Sequence, residues 1–130
     1  MRKVSVLIMA LVLVFGAIGY ASSESEVETE LSMRIVNVLD GVGNTFDEYQ
    51  SGIISRSEAV SDFNEYNAKT TFIFQEAVDE GASKDFIQIC AGLDMVMDLY
   101  RQGLDELDRD KIELGNKIVS QILTPKLRGN

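Results

Sequence analysis

Histidine and tryptophan are absent from this chain of 130 residues, and cysteine and proline each occur only once. The lack of histidine disfavours a histidine-ligated haem and a bundle-type di-metal site, which requires Glu-x-x-His pairs. A single cysteine, Cys90, allows no disulfide within the chain. Because Pro125 is the only proline and β-branched residues are rarely adjacent, a β-sandwich with many turns is disfavoured. The composition therefore predicts an all-α fold.

Motifs for catalysis and cofactor binding are also missing. The chain has no phosphate-binding glycine loop, and Gly41-Val42-Gly43 lacks the third glycine of a dinucleotide-binding fingerprint. Asp108-x-Asp110 continues without the oxygen ligand and the glycine that a calcium loop requires. Cys90 lies among apolar residues at helical spacing, which indicates a core residue, with an intermolecular disulfide as the alternative. We therefore predict a protein that is not an enzyme, with no catalytic residue, no cofactor and no metal site.

The first 21 residues have the three-part layout of a secretory leader. Cations at positions 2 and 3 precede an apolar run over residues 4–18, and Gly19-Tyr20-Ala21 fits the small-x-small pattern before a cleavage site. Ala21 is thus the candidate last residue of the leader. The pattern predicts a signal peptide over residues 1–21 and an extracytoplasmic domain over residues 22–130, either secreted or retained in the periplasm or envelope.

An uncleaved membrane anchor is the alternative for the same segment. As a helix, residues 4–21 would span roughly 27 Å, which is close to the thickness of a bilayer core. The cations before the run and the acids after it, from Glu24 onward, place the domain outside the cytoplasm in either case. Contact with a membrane is therefore predicted only through this N-terminal segment.

Negative charge dominates the rest of the chain. Residues 22–130 contain all 21 acids and ten of the twelve bases, a formal net charge of −11. Such a surface repels nucleic-acid phosphates and anionic lipid headgroups, so we exclude nucleic acid as a partner and expect another protein or a second copy of this chain. A segment of this length is sufficient for one domain with a core of its own.

Apolar residues recur at helical spacing in four stripes. The first predicts a helix over residues 26–50, although its stripe runs on to Ile53 beyond a turn at Ser51-Gly52. The second predicts a helix over residues 56–80, which starts at a Ser55–Glu58 capping box and ends before Gly81.

The third stripe is the most regular in the chain. From Phe86 to Leu107 its steps alternate between three and four residues, which is typical of a long helix packed nearly parallel or antiparallel to another. The fourth stripe includes Leu114, Ile118, Val119, Ile122 and Leu123, and it is predicted to end at Pro125.

These stripes predict an up-down four-helix bundle that follows the N-terminal hydrophobic leader. Because the fourth stripe is short, a three-helix bundle with a short trailing helix is the alternative. The tail from about residue 126 is predicted to be mobile.

Four apolar residues lie off the stripes and form the candidate interaction surface. Ala91, Met95 and Leu99 are spaced i, i+4, i+8 on the third helix, and Phe72 lies beside the stripe of the second. Small residues next to methionine permit close approach by a partner or a second copy. We therefore predict a protein–protein interaction module or an envelope-associated structural module.

The alternative function is a small-molecule-binding or sensor-like bundle. Its ligand would occupy an apolar cavity between helices, as is common in bundles. The residues expected to line such a cavity are Phe63, Phe74, Phe86 and Tyr100.

Overall fold

The computed structural model describes residues 26–127, so the predicted leader and its cleavage candidate Ala21 lie outside the described residues. Within this range the chain forms a bundle of four helices, as the stripes predict, and successive helices run antiparallel. The fourth helix is composite, with a π-helical turn and a short final helix after its α-helical part. The elements are α1 Glu26–Gln50, α2 Arg56–Asp79, α3 Lys84–Glu106, α4 Arg109–Ile118, the π turn Val119–Leu123 and α5 Thr124–Leu127.

Local signals at the helix ends are confirmed. The N–H of Glu58 donates to Ser55 Oγ at 3.1 Å, and the N–H of Ser55 donates to Glu58 Oε1 at 3.4 Å, which completes the capping box of α2. Asp108 Oδ1 accepts from the N–H of Asp110 at 3.0 Å and caps α4. Gly81 has a φ of +72°, the left-handed conformation that its place after α2 predicts.

The centre of the bundle is a cluster of aromatic side chains from three helices. Phe46 of α1, Phe63 of α2 and Tyr100 of α3 are fully buried, and the Phe46 ring lies 5.0 Å from that of Phe63 and 5.2 Å from that of Tyr100. The hydroxyl of Tyr100 donates to Asn116 Oδ1 at 2.7 Å, which connects α3 to α4. Buried Val119 and Leu123 belong to the same core, so the fourth helix is a full member of the bundle.

The ends of two predicted stripes are wrong. The stripe of α1 includes Ile53 and that of α3 includes Leu107, but these two residues are 71 % and 68 % exposed. Each lies beyond its helix, because α1 ends at Gln50 and α3 at Glu106. The residues before them on both stripes are buried or half-buried.

The stripe of the fourth helix is also partly wrong, because Leu114 and Ile122 are exposed. Gly115 faces the core instead of Leu114, since the ring of Tyr100 occupies the space that a side chain at position 115 would need. The π turn then changes the helical phase, so that Val119 and Leu123 are buried while Ile122 points outward.

The prediction that Pro125 ends the fourth helix is wrong as well. Pro125 is the second residue of α5, and the helix continues through it to Leu127. The N–H and the hydroxyl of Thr124 both donate to the carbonyl of Val119, which carries the chain from the π turn into α5. Lys126, where the tail was predicted to begin, pairs with Asp85 of α3 at 3.7 Å.

Candidate functional site

An open groove of about 470 Å³ lies on the surface between α1 and α2. We call it the α1–α2 groove. Val38, Tyr66 and Ile73 supply apolar surface, while charged residues come from both helices. The groove is lined by Arg34, Asn37, Val38, Glu65, Tyr66, Ala68, Lys69, Phe72 and Ile73.

The Phe72 side chain is the most exposed aromatic surface in the groove. It is 61 % exposed, and the guanidinium carbon of Arg34 lies 5.5 Å from the centre of its ring. Arg34 also forms an ion pair with Glu76, one turn further along α2. A cation over an exposed ring contributes about 0.5–1 kcal/mol, so Arg34 restricts the rotamers of Phe72 without removing the ring from water.

Tyr66 forms a fixed wall of the groove. Its ring lies so close to Gly41 of α1 that a Cβ at position 41 would be 2.9 Å from Tyr66 Cε1. The Tyr66 hydroxyl and Thr45 Oγ1 are hydrogen-bonded at 2.8 Å, and Thr45 Oγ1 donates to Asp62 at 3.1 Å. Burial is the main cause that raises the pKa of Tyr66, so its hydroxyl remains protonated at neutral pH.

The charges along the groove are paired but accessible. Lys69 and Glu65 form an i,i+4 ion pair at 3.4 Å, and both side chains are more than half exposed. Exposed pairs of this kind contribute little to folding, so either partner exchanges readily for a charge on another molecule. Together, the exposed ring, apolar floor and exchangeable charges suit a partner that brings both apolar and polar groups.

The four residues of the candidate interaction surface lie in two different places. Phe72 lines the α1–α2 groove, whereas Ala91, Met95 and Leu99 do not. On α3, Met95 is 57 % exposed, while Ala91 and Leu99 are half-buried. Only Phe72 therefore belongs to the candidate site.

Sequence reasoning missed the partners of Phe72. Arg34, Tyr66 and Lys69 were not assigned to any site, although Lys69 and Phe72 are three residues apart and so share a face of α2. The spacing of apolar residues along each helix could not identify Arg34, because its position over Phe72 depends on how α1 and α2 pack.

The four residues expected to line a ligand cavity lie in the packed core or against it. Phe63 and Tyr100 are fully buried and their ring centres are 6.0 Å apart, in an edge contact typical of a packed core. Phe86 is buried as well, and Phe74 is half-buried against the core. None of the four residues lines the α1–α2 groove.

Cys90 is a buried free thiol with 1 % of its surface exposed. Burial raises its pKa to about 12, with a smaller contribution from the negative charge of Glu28. The side chain is thus a protonated thiol at neutral pH and packs as a small apolar residue. Among residues 26–127, no group of three or more acids and cysteines is arranged to hold a metal ion.

No protein-family model, curated protein or solved structure matches this chain. Over residues 26–127, no helix is long and apolar enough to cross a membrane.

Proposed function

We propose that this chain is an exported, non-enzymatic interaction module that binds a partner protein in the α1–α2 groove. The observation that carries the proposal is Phe72, an aromatic side chain exposed to 61 % and held under Arg34 beside an apolar floor. Aromatic residues, phenylalanine included, and arginine are enriched in protein interfaces relative to the rest of the surface. The formal net charge of −11 over residues 22–130 favours a protein partner over nucleic acid.

Site-specific photo-crosslinking tests this proposal. The full chain is expressed in the producing cell with a photoreactive residue at position 72 and is crosslinked after export to the envelope. It should give one dominant protein adduct. The matched control is position 71, because Thr71 is exposed on the same helix but faces α3, where its hydroxyl donates to Asp94, and it does not line the groove. Arg34→Ala should weaken the adduct at position 72. Equal adducts at positions 72 and 71 would contradict the proposal.

Self-association through α3 is a distinguishable outcome. Ala91, Met95 and Leu99 follow each other at one-turn intervals, and Met95 is the most exposed of the three. If they join two copies, sedimentation should show a dimer at high micromolar concentration, and Met95→Ser should abolish it. A dimer that depends on Met95 but not on Phe72 would locate the interface on α3.

Small-molecule binding is the second candidate function, and the volume of the groove favours it. At about 470 Å³ the groove is within the range of small-molecule sites, which is roughly 300–1,000 Å³. Native mass spectrometry of the exported product should then show a bound compound that Phe72→Ser releases. A protein adduct at position 72 with no bound compound would favour the interaction module.

Export itself remains part of the proposal. It is supported by the cationic and apolar residues 2–18 and the small residues at positions 19 and 21. N-terminal sequencing of the exported product should begin at Ser22. A product that begins at Met1 and stays with the membrane fraction would support the anchor, and a cytosolic product would contradict export.

A further inference from the structure

The two turns at one end of the bundle carry the most exposed large apolar side chains of residues 26–126. Ile53 is in the turn between α1 and α2, and Leu107 follows α3. Arg56 Nη1 donates to the carbonyl of Asp105 at 3.2 Å, which places these turns side by side. Glu28, near the start of α1, bonds to Ser83 at the opposite end. The turns therefore lie at the end of the bundle away from the start of α1.

The backbone of Leu107 gives an independent reason to look here. Its φ and ψ are +54° and +40°, and it is the only residue other than glycine with positive φ in the described part of the chain. At this position, after a helix, glycine is preferred because a Cβ is strained in the left-handed conformation. Leu107 thus has an unfavourable backbone conformation and, at 68 % exposure, little burial to compensate for it. The fold alone does not explain a leucine at this position.

The charges around these two side chains indicate what could cover them. Residues 47–58 and 105–111 include seven acids and only three bases. A second copy of the same end would bring like charges together, and an anionic membrane would be repelled. A segment with apolar side chains between lysines or arginines is complementary to this end of the bundle. Its apolar groups would cover Ile53 and Leu107, and its positive charges would face the surrounding acids.

We propose that Ile53 and Leu107 form a second docking surface, which binds an apolar segment flanked by basic residues on another protein. This surface is separate from the α1–α2 groove, since neither residue lines it. The module would then hold two partners, one along its side and one at its end.

Nuclear magnetic resonance with defined peptides tests the proposal. The probe is an amphipathic leucine–lysine peptide of about four helical turns, added to the exported product of the full chain. We expect amide shifts centred on residues 51–55 and 105–109. Peptides with lysine replaced by glutamate, or leucine by serine, should bind at least roughly tenfold more weakly, because each lacks one of the two required features.

Leu107→Gly is the decisive variant. It should leave the urea midpoint unchanged or raise it, because the backbone strain is relieved, and yet weaken peptide binding about tenfold. Ile53→Ser should weaken binding similarly. The matched control is the variant Val78→Ser, because Val78 is an exposed apolar residue at the opposite end of α2. This variant should bind the peptide as tightly as the parent protein.

Three results would overturn the proposal. Shifts spread over all acidic faces would indicate binding by charge alone. Unchanged affinity of the Leu107→Gly variant for the peptide would show that the leucine side chain makes no contact with it. Binding of neutral phosphatidylcholine vesicles that depends on Ile53 and Leu107 would replace a protein partner with a lipid surface. None of these results would affect the photo-crosslink at position 72, so the two proposals fail separately.

Discussion

Three glycines mark the places where α3 and the fourth helix come closest. A Cβ at Gly103 would lie 2.5 Å from Ile112 Cγ1 and 3.0 Å from the carbonyl oxygen of Asp108. At Gly115 it would be 2.8 Å from Tyr100 Cε1, and at Gly92 it would be 2.7 Å from Leu123 Cδ2. In isolation, glycine weakens a helix, so these residues are explained by contact between helices.

Gly103→Ala is therefore expected to destabilise the protein, although alanine is the better helix former. Relief of the overlap requires movement of the Asp108 backbone as well as the Ile112 side chain, and overpacking of this kind costs about 1–3 kcal/mol. Chemical denaturation measures the loss. The control is Met95→Ala on the outer side of the same helix, which should change the free energy of unfolding by less than about 0.5 kcal/mol. An increase in stability for Gly103→Ala would show that α4 lies further from α3 than the structure indicates.

At the scale of single elements, α2 begins at a cap whose two side chains are exposed to solvent. Ser55 and Glu58 bond to each other's backbone N–H groups, and neither side chain is buried. The cap thus acts on the helix alone, and its contribution can be measured without disturbing the core.

Ser55→Ala should lower the free energy of unfolding by about 1 kcal/mol, because the N–H of Glu58 loses its acceptor. Ser57→Ala is a close control, since Ser57 is exposed two residues later and the same atoms are removed. Thermal unfolding followed by circular dichroism compares the two variants. Equal melting temperatures for Ser55→Ala and Ser57→Ala would contradict a role for the cap.

How far the sequence predicts these elements depends on what determines each residue. The spacing of Phe86, Cys90 and Leu93 predicts α3 because periodic burial is a property of the chain itself. The exposure of Leu107 was not predictable, since the stripe continues through it while the helix stops at Glu106. Spacing identifies the face of a helix, but it does not show where the turn begins.

The α1–α2 groove was predictable in one residue only. Phe72 stands out because it is an aromatic residue off the stripe of α2, which a single helix reveals. Arg34, by contrast, belongs to the groove only because α1 lies beside α2. To predict a site between two helices, one must know how the helices pack against each other, and the spacing of residues on one helix does not give that information.

At the scale of the whole molecule, the interior of the bundle disfavours charge. Burial raises the pKa of Cys90 to about 12 and also raises that of Tyr100, whose hydroxyl donates to the half-buried Asn116. Burial is the main cause of the raised pKa of Tyr66 as well. Cys90 and Tyr100 are buried in the packed interior, where ionisation is most strongly disfavoured, whereas Tyr66 is half-buried beside the groove.

The stability of the bundle should therefore fall at alkaline pH. Below pH 9 the Cys90 thiol is protonated in both the folded and the unfolded chain, so its contribution to stability is fully present. As pH rises from 9 to about 12, the unfolded chain loses this proton first. The free energy of unfolding then decreases by up to about 1.4 kcal/mol per pH unit for the Cys90 thiol. Urea denaturation at pH values from about 8 to about 11 measures this decrease.

Cys90→Ala separates the thiol from the tyrosines. The variant should be less stable at pH 8, because a buried side chain is shortened, but its stability should fall less steeply between pH 9 and 12. The remaining slope would belong to Tyr66 and Tyr100, which still ionise more easily in the unfolded chain. Parallel curves for the parent and the variant would mean that Cys90 ionises as easily in the folded protein as in the unfolded one. That result is incompatible with a thiol enclosed between Phe86 and Leu93 in the core.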